Sequence, residues 1–414
     1  FERRGLLHAM DEGGFDFTHG LVRQAVYRTL STARRRAVHR QIAKAFATAS
    51  ADDPWLHGSV VHHASLAGDA LVATRAALAA GEHWLRVFAN LEAAQVAERG
   101  LALLDEVAAS AERAKLEIGL LRLRVRAAAG TTGGRRLPAL AERIQRAIDA
   151  AQAHALHAEA AAGWDILAYW RQQSGDAAGA HEASITAERC TRRADDITRC
   201  QHLANTGRCL LDIELDGERA RALIAEAESL AAELQLNIME LEWGRGLAAR
   251  ADADLELARA ALMRAVELGH ATANHWREYE CMLSLATVEL ELGRTDDVLR
   301  HVDAVRVAAQ RMGETEVPFA DALAALARLQ RTEPDAGAAV QASLAALRRH
   351  DDKARLAYVL NAAASAALAA GDPAAATRHA SEARAAAIAV RRPTQIARAE
   401  ATIAAAEAVL GGTR

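Results

Sequence analysis

Histidine and cysteine are the side chains of this chain that are best suited to metal chemistry. Between residues 154 and 209 the sequence contains His154, His157, Cys190, Cys200, His202 and Cys209. None of them has the Cys-x-x-Cys or His-Glu-x-x-His spacing that places two ligands on one metal ion. The spacing therefore predicts small buried cysteines and no metal site. The adjacent His62 and His63 are interpreted as a pair on a helix surface.

The sequence contains no complete motif for binding a nucleotide or for a catalytic nucleophile. The one glycine cluster, Gly130–Arg136, lacks the lysine and the neighbouring hydroxyl that a phosphate-binding loop needs, so we interpret it as a loop between helices. No serine lies in a nucleophile-elbow sequence, and the carboxylates are spread along the chain. The sequence thus predicts no catalytic residue and no cofactor bound by this region alone. A hydrolytic enzyme has no motif in its favour.

Polar and aromatic residues at helical spacing offer a binding chemistry instead. A three-to-four residue spacing places side chains on one helix face, and mixed polar and aromatic side chains suit a peptide or a small effector. The predicted binding residues are Asp165, Tyr169, Asn205, Arg208, Glu240, Trp243 and Glu280. The same count also selects Gln172, Asp212, Leu247, Thr287, Tyr358 and Asn361. Core packing remains an alternative for Trp243 and is the prediction for Trp164.

The elements that position these residues are expected to be helices. The chain has 414 residues, of which 26 are glycine and 6 are proline. About a quarter of the residues are alanine, which loses the least entropy in a helix. The formal net charge of −4 gives no general attraction to nucleic acid. Four scattered cysteines and the lack of a long apolar run favour a cytoplasmic protein with no membrane-spanning segment.

Recurrent corners divide the chain into helix hairpins. Glycine is followed by a charged residue at Gly68, Gly175, Gly217, Gly293 and Gly371. Glycine accepts the left-handed exit of one helix, and an acidic residue favours the start of the next. With weaker breaks near residues 131–134, 251–254 and 332–335, the turns recur roughly every 36 to 43 residues. These spacings predict an all-α superhelical solenoid.

One pattern of tryptophan, leucine and small residues recurs around the corners. Around Gly175 it consists of Trp164, Leu167, Ala168, Ala180 and Ala187. Short side chains recur at the matching positions around Gly293 and Gly371, namely Ala286, Val298, Val305, Ala364, Ala376 and Ala383. The hairpins therefore resemble degenerate, lengthened tetratricopeptide repeats. The resemblance implies a repeat domain over residues 51–414 with a capping helix near 393–410, and a groove lined by the first helix of each hairpin.

Residues 1–50 carry a different signature. Its characteristic positions are Phe17, His19, Leu21, Val22, Arg23, Ala25, Tyr27, Arg34, Arg35 and His39. This pattern resembles the end of the winged-helix region in bacterial STAND signal-transduction ATPases, the large ATP-binding regulators of the LuxR and maltose-regulator type. The resemblance implies an upstream ATPase domain, ATP or ADP in the intact protein, and a contact from His19 to ADP. Gly20 occupies the position where the family has an aspartate. The resemblance therefore implies that the contact that His19 makes with ADP is weakened.

These observations lead to one functional expectation and one alternative. The chain, which does not begin with methionine, is expected to be the sensor part of a STAND-type transcriptional or signalling regulator that binds an inducer or a protein in its groove. The alternative is a constitutive scaffold with no switching role. The basic run Arg34, Arg35, Arg36, Arg40 and Lys44 lacks interleaved aromatic residues. We therefore interpret it as an exposed helix face, or as a site of ion pairing between domains, rather than a nucleic-acid contact.

Overall fold

The computed structural model describes residues 4, 6–10, 14–128, 138–313 and 317–412. The predicted loop over residues 130–136 lies outside these ranges. The chain divides into two compact units. The first unit contains residues 1–83 and 95–109, and the second contains residues 84–94 and 110–414. The division thus falls inside the predicted repeat region, and the predicted winged-helix remnant lies inside the first unit.

The first unit begins with a short β-hairpin and continues as helices. Strand β1 pairs antiparallel with β2, and Leu7 lies opposite Phe17. The Ser31 hydroxyl accepts a hydrogen bond from the Arg34 backbone N–H and caps the second helix. The elements are β1 Leu7–Ala9, β2 Phe15–Phe17, α1 Gly20–Thr29, α2 Thr32–Ala49, a 3-10 turn Pro54–Leu56 and α3 His57–Ala67. The helices α4 Ala70–Arg86 and α5 Asn90–Leu104 contribute to both units.

The second unit is an array of antiparallel helix hairpins. Consecutive helices pack in pairs, from α6 with α7 to α18 with α19, and α20 packs on α18 and α19. The hairpin helices are α6 Ala111–Ala128, α7 Pro138–Ala153, α8 His157–Gln173, α9 Ala177–Thr191, α10 Asp196–Asp212, α11 Gly217–Leu234, α12 Met239–Ala251, α13 Leu255–Ala271, α14 His275–Glu291, α15 Thr295–Arg311, α16 Pro318–Gln330, α17 Ala336–Arg349, α18 Lys353–Ala369 and α19 Pro373–Ala389. The final helix is α20 Pro393–Gly412. The predicted all-α solenoid is confirmed.

Most of the predicted corners have the expected backbone conformation and helix caps. Gly175, Gly293 and Gly371 adopt positive φ angles, which glycine accepts at little steric cost. Asp176 and Asp372 then cap the following helices by accepting backbone N–H bonds of 2.8 Å. The corner near residue 217 differs from the prediction. Gly217 begins α11, while Glu214 and Asp216 take the left-handed conformation.

Small residues allow the two helices of a hairpin to approach closely. The predicted small positions around Gly175, Gly293 and Gly371 are all buried, which confirms the register. A Cβ atom at Gly207 would lie only 2.9 Å from the backbone oxygen of Ala220. Trp164 was predicted to be core, but it is only half-buried. Asn361 is buried and donates hydrogen bonds to Gln395, so it holds α20 against α18.

Candidate partner-binding groove

The first helices of successive hairpins line a shared groove in the second unit. Its cavity encloses about 270 Å³. Most of the side chains come from the first helices α8, α10, α12, α14, α16 and α18, because each hairpin presents the same helix to this side. The final helix α20 and the turns that follow α8, α10, α17 and α19 supply the rest. The lining includes Gln172, Asp212, Glu214, Trp243, Leu247, Arg250, Glu280, Ser284, Thr287, Phe319, Lys353, Arg355, Tyr358, Arg392 and Gln395.

Contacts between distant repeats close one side of the groove. The Arg392 guanidinium donates to the backbone oxygen of Asp212 and lies 3.8 Å from the Glu214 carboxylate. The Thr394 backbone N–H donates to the same carboxylate at 2.9 Å. These residues are about 180 positions apart in sequence. The contacts tie the start of α20 to the end of α10.

A charged aromatic cluster forms part of the groove wall. Arg250 donates to Glu291 through Nε at 2.9 Å and Nη2 at 2.8 Å. The same guanidinium lies 5.5 Å from the centroid of the Tyr358 ring. Burial alone would raise the pKa of Glu291, but the hydrogen bonds and charge of Arg250 outweigh it and lower that pKa. Glu291 is therefore ionised and fixes the orientation of Arg250.

A second ion pair crosses from α14 to α18. Arg355 donates to the Glu280 carboxylate at 2.9 Å, and its guanidinium lies 5.1 Å from the Phe319 ring centroid. Burial opposes the charge on Arg355, but Glu280 and Asp352 raise its pKa. The groove therefore presents paired charges beside aromatic faces. Such surfaces combine apolar contact area with oriented hydrogen bonds.

Trp243 lies between the groove and the core. Its side chain is 4% exposed, and its indole N–H donates to the Ser284 hydroxyl at 3.2 Å. The guanidinium carbons of Arg208 and Arg277 lie 4.5 Å and 5.7 Å from the Trp243 ring. Trp243 is therefore packed in the core and also contributes to the lining of the groove, so both expectations for this residue apply.

The remaining predicted residues extend from this cluster. Asp165 on α8 accepts a 2.5 Å hydrogen bond from His202 on α10. Burial opposes the charge on His202, but Asp165 raises its pKa above the ordinary value. Tyr169 packs edge-to-face on Trp276 with 4.9 Å between ring centroids. Together these contacts join α8, α10 and α14.

The seven predicted residues have different positions relative to the groove. Trp243 and Glu280 line the cavity. The side chains of Asn205, Arg208 and Glu240 meet around Arg277, which also stacks on Trp276. Sequence reasoning missed Arg277, Arg250, Arg355 and Phe319. Arg277 lies three residues before Glu280, so the helical spacing of α14 was the signal that could have found it.

Other sequence predictions concern residues of the first unit. His19 is exposed at the start of α1, and its side chain makes no capping hydrogen bond. The basic side chains of α2 are exposed apart from Arg35, which is half-buried beside the Tyr27 ring. The prediction that His62 and His63 form a surface pair is wrong for His63. That ring stacks between His39 and Phe46.

The cysteines and histidines between residues 154 and 209 do not converge on one point. Cys200, Cys209 and Cys281 are buried, while Cys190 is half-buried. Burial raises the pKa of all four thiols, so they are protonated at neutral pH. Within the described ranges, no three His, Cys, Asp or Glu side chains are grouped so that they could ligate a metal. Within the same ranges, no helix has the length and hydropathy of a membrane span.

Comparison with known proteins identifies the fold. No family model and no curated protein matches the sequence. A Rap protein in complex with competence and sporulation factor has a TM-score of 0.51 at 10% identity, and the match covers 82% of this chain and 99% of that one. Aspartyl phosphate phosphatase F from Bacillus subtilis has a TM-score of 0.50 at 14% identity, with 88% and 95% covered. The chain has a tetratricopeptide-like helical repeat fold.

A further match is a signal transduction ATPase with numerous domains and a tetratricopeptide repeat sensor, from Pyrococcus horikoshii. Its TM-score is 0.47 at 14% identity. The match covers 99% of this chain and 59% of that protein. The two matches with TM-scores of 0.50 and 0.51 describe, at 14% and 10% identity, the arrangement of helices and not the activity.

Proposed function

We propose that this chain is the partner-sensing helical-repeat region of a cytoplasmic STAND-type regulator, and that it binds a protein segment or a small inducer in the groove. The observation that carries the proposal is the convergence of six first helices and the final helix α20 on one cavity. Its walls combine oriented ion pairs with aromatic rings. Solenoids use surfaces of this kind to bind extended partners.

One of the structural neighbours supports a binding role. The Rap protein of similar fold was solved in complex with competence and sporulation factor. That complex concerns another protein, and it supports our proposal only in that a chain with a similar arrangement of helices binds a partner. We therefore favour binding over catalysis for the region described.

The STAND assignment rests on the sequence of residues 15–43. Helix α1 of this segment contains no buried residue, and Leu21 is 80% exposed. Phe15 and Val26 are also exposed apolar side chains. An exposed apolar surface of this kind suits contact with the ATPase module that the resemblance implies. His19 lies exposed at the start of the same helix, where it is available to a nucleotide.

The binding proposal can be tested with phage-displayed random peptides. Peptides enriched on the wild-type chain would be synthesised and their Kd values measured by calorimetry. We expect Arg355→Ala, which removes a groove cation, to weaken binding at least ~10-fold, the equivalent of ~1.4 kcal/mol. Arg264→Ala is the matched control, because Arg264 lies on the second helix α13 and pairs with Glu267. It should change Kd less than about twofold.

Arg355→Ala also leaves Glu280 without its partner, so a second variant is needed. Lys353→Glu reverses an exposed groove charge and leaves the Arg355–Glu280 pair intact. Circular dichroism should show wild-type helicity for all three variants. A failure to enrich any peptide, or equal affinity for the wild type and both groove variants, would contradict the proposal.

Switching distinguishes the sensor from the scaffold. If the chain is a sensor, the full-length gene product should contain an upstream phosphate-binding loop. Its ATP turnover should also change when the selected peptide is added, because a ligand shifts the equilibrium between two states only if it binds them with different affinities. A scaffold would bind the peptide with no change in turnover.

A further inference from the structure

Two arginines beside the groove have little negative charge to balance them. Arg208 on α10 is 4% exposed, and the Arg277 side chain on α14 is 17% exposed. Both guanidiniums lie against the Trp243 ring, and Arg277 also lies 4.9 Å from the Trp276 ring. We refer to Arg208 and Arg277 as the arginine pair.

The nearest acceptors satisfy only part of this pair. The Asn205 side-chain oxygen accepts from Arg208 at 3.1 Å and from Arg277 at 3.4 Å. Glu240 is 3.9 Å from Arg277 Nε, which is too far for a hydrogen bond. Nη1 of Arg277 is buried without a hydrogen-bond partner. Within the part of the chain that the structure describes, Arg208 forms no ion pair.

Neighbouring groups do not supply the missing charge. Burial raises the pKa of the Cys281 thiol, so it is not a thiolate counter-ion. The Asp165 carboxylate is already paired with His202. Burial, and then the charge of Arg208, lower the pKa of Arg277. Arginine nevertheless stays protonated in proteins, so the pair remains doubly positive.

A buried and a largely buried guanidinium that share one carboxylate, with no hydrogen bond to it, oppose folding stability. A buried cation normally has a hydrogen-bonded anion, because desolvation is costly when it is not compensated. The aromatic faces offset part of that cost, but they provide no acceptor for the guanidinium N–H groups. A cluster of charges that destabilises the ligand-free protein is expected at a binding site, where the ligand supplies the missing opposite charge.

We propose that the arginine pair, with Asn205 and the faces of Trp243 and Trp276, is the binding site for one carboxylate group of the ligand. This inference rests on the proposed function and specifies a chemical group that the partner must carry. The guanidinium forks donate paired hydrogen bonds that match the two oxygens of a carboxylate. The two guanidiniums and the Glu240 carboxylate together carry one net positive charge. A carboxylate monoanion would neutralise this charge, whereas a phosphate dianion would leave a net negative charge.

The test uses sodium acetate as the probe and indole NMR signals as the reporter. Labelling with ¹⁵N-tryptophan gives one indole signal for each of the 6 tryptophans. Acetate is titrated against sodium chloride at constant ionic strength, and inorganic phosphate forms a second arm. We expect the Trp243 and Trp276 signals to shift saturably with acetate. Chloride should leave them unchanged.

Two variants assign the effect to the arginine pair. Arg277→Gln keeps a hydrogen-bonding side chain but removes the charge, and it should weaken acetate binding at least tenfold, consistent with the loss of one charged pair. Its Tm without ligand should be equal to or above that of the wild type, which a merely structural arginine would not show. Arg264→Gln on the second helix α13 is the control, and it should retain acetate binding.

The outcomes are distinct. Equal shifts with acetate and chloride, or a lower Tm for Arg277→Gln with acetate binding retained, would overturn the inference. Saturation by phosphate at lower concentration than acetate would assign the site to phosphate instead. Acetate binding without any peptide binding would contradict the proposed function alone, while peptide binding without acetate binding would contradict this inference alone.

Discussion

Replacing Trp243 with phenylalanine tests how the groove wall is built. Trp243→Phe removes the indole N–H that donates to Ser284 and leaves a smaller ring beneath the guanidinium of Arg208. A buried neutral hydrogen bond contributes about 1 kcal/mol, a weakened cation–π contact about 0.5 to 1 kcal/mol, and the lost ring volume adds a cavity cost. We therefore expect the variant to lower the free energy of unfolding by about 2 to 3 kcal/mol.

Urea unfolding followed by circular dichroism measures this change as a shift in the midpoint with an unchanged m-value. Ser284→Ala is the matched variant, because it removes the acceptor and leaves the indole in place. The two residues are in contact, so the double variant should show a coupling energy of about 1 kcal/mol. Midpoints equal to that of the wild type, or losses that simply add, would refute the assignment of Trp243 to this contact.

The other predictions concern close helix packing and pH. Gly207→Ala should lower Tm because the new Cβ meets the Ala220 backbone oxygen, whereas Gly337→Ala, which meets nothing within 4 Å, should leave Tm equal or slightly higher. Equal Tm values for these two variants would contradict the packing argument. Burial, and then the neighbouring His62, lower the pKa of His39 and of His63 in the folded protein. The unfolded chain, with an ordinary histidine pKa of about 6.5, therefore binds protons more readily than the folded chain. The free energy of unfolding should accordingly decrease as the pH falls from about 6.5 through the folded-state pKa values of these two histidines. Thermal melts of the full chain at pH 7.5 and 5.5 measure this, and His63→Phe should flatten the dependence.

The hairpin array was predictable from the sequence because its signals are local. Glycine corners, acidic caps and short side chains act within one hairpin, and the buried Ala180, Ala286 and Ala376 are in the predicted register. The corner at Gly217 was less predictable, since Glu214 and Asp216 adopt the left-handed conformation there. A non-glycine residue with positive φ depends on how the adjacent helices pack, which a single sequence does not encode.

The composition of the groove was only partly predictable. Helical spacing predicted Arg208 and Trp243, because each of them lies on the same face of its helix as the other predicted binding residues of that helix. It does not indicate that Arg277 packs on Trp243 or that Arg392 reaches Asp212, since both contacts depend on the rotation between stacked hairpins. His63 was mistaken for a surface residue for the same reason. Its partners His39 and Phe46 lie on another helix.

The central claim is that a partner binds to the first helices of the hairpins. The most direct measurement is a crystal structure of the chain with a selected peptide. We predict density for the peptide between α12, α14 and α18, beside Trp243 and Arg355, with a carboxylate at the arginine pair. A peptide bound instead on the second helices α13 and α15, with an empty groove, would contradict the account.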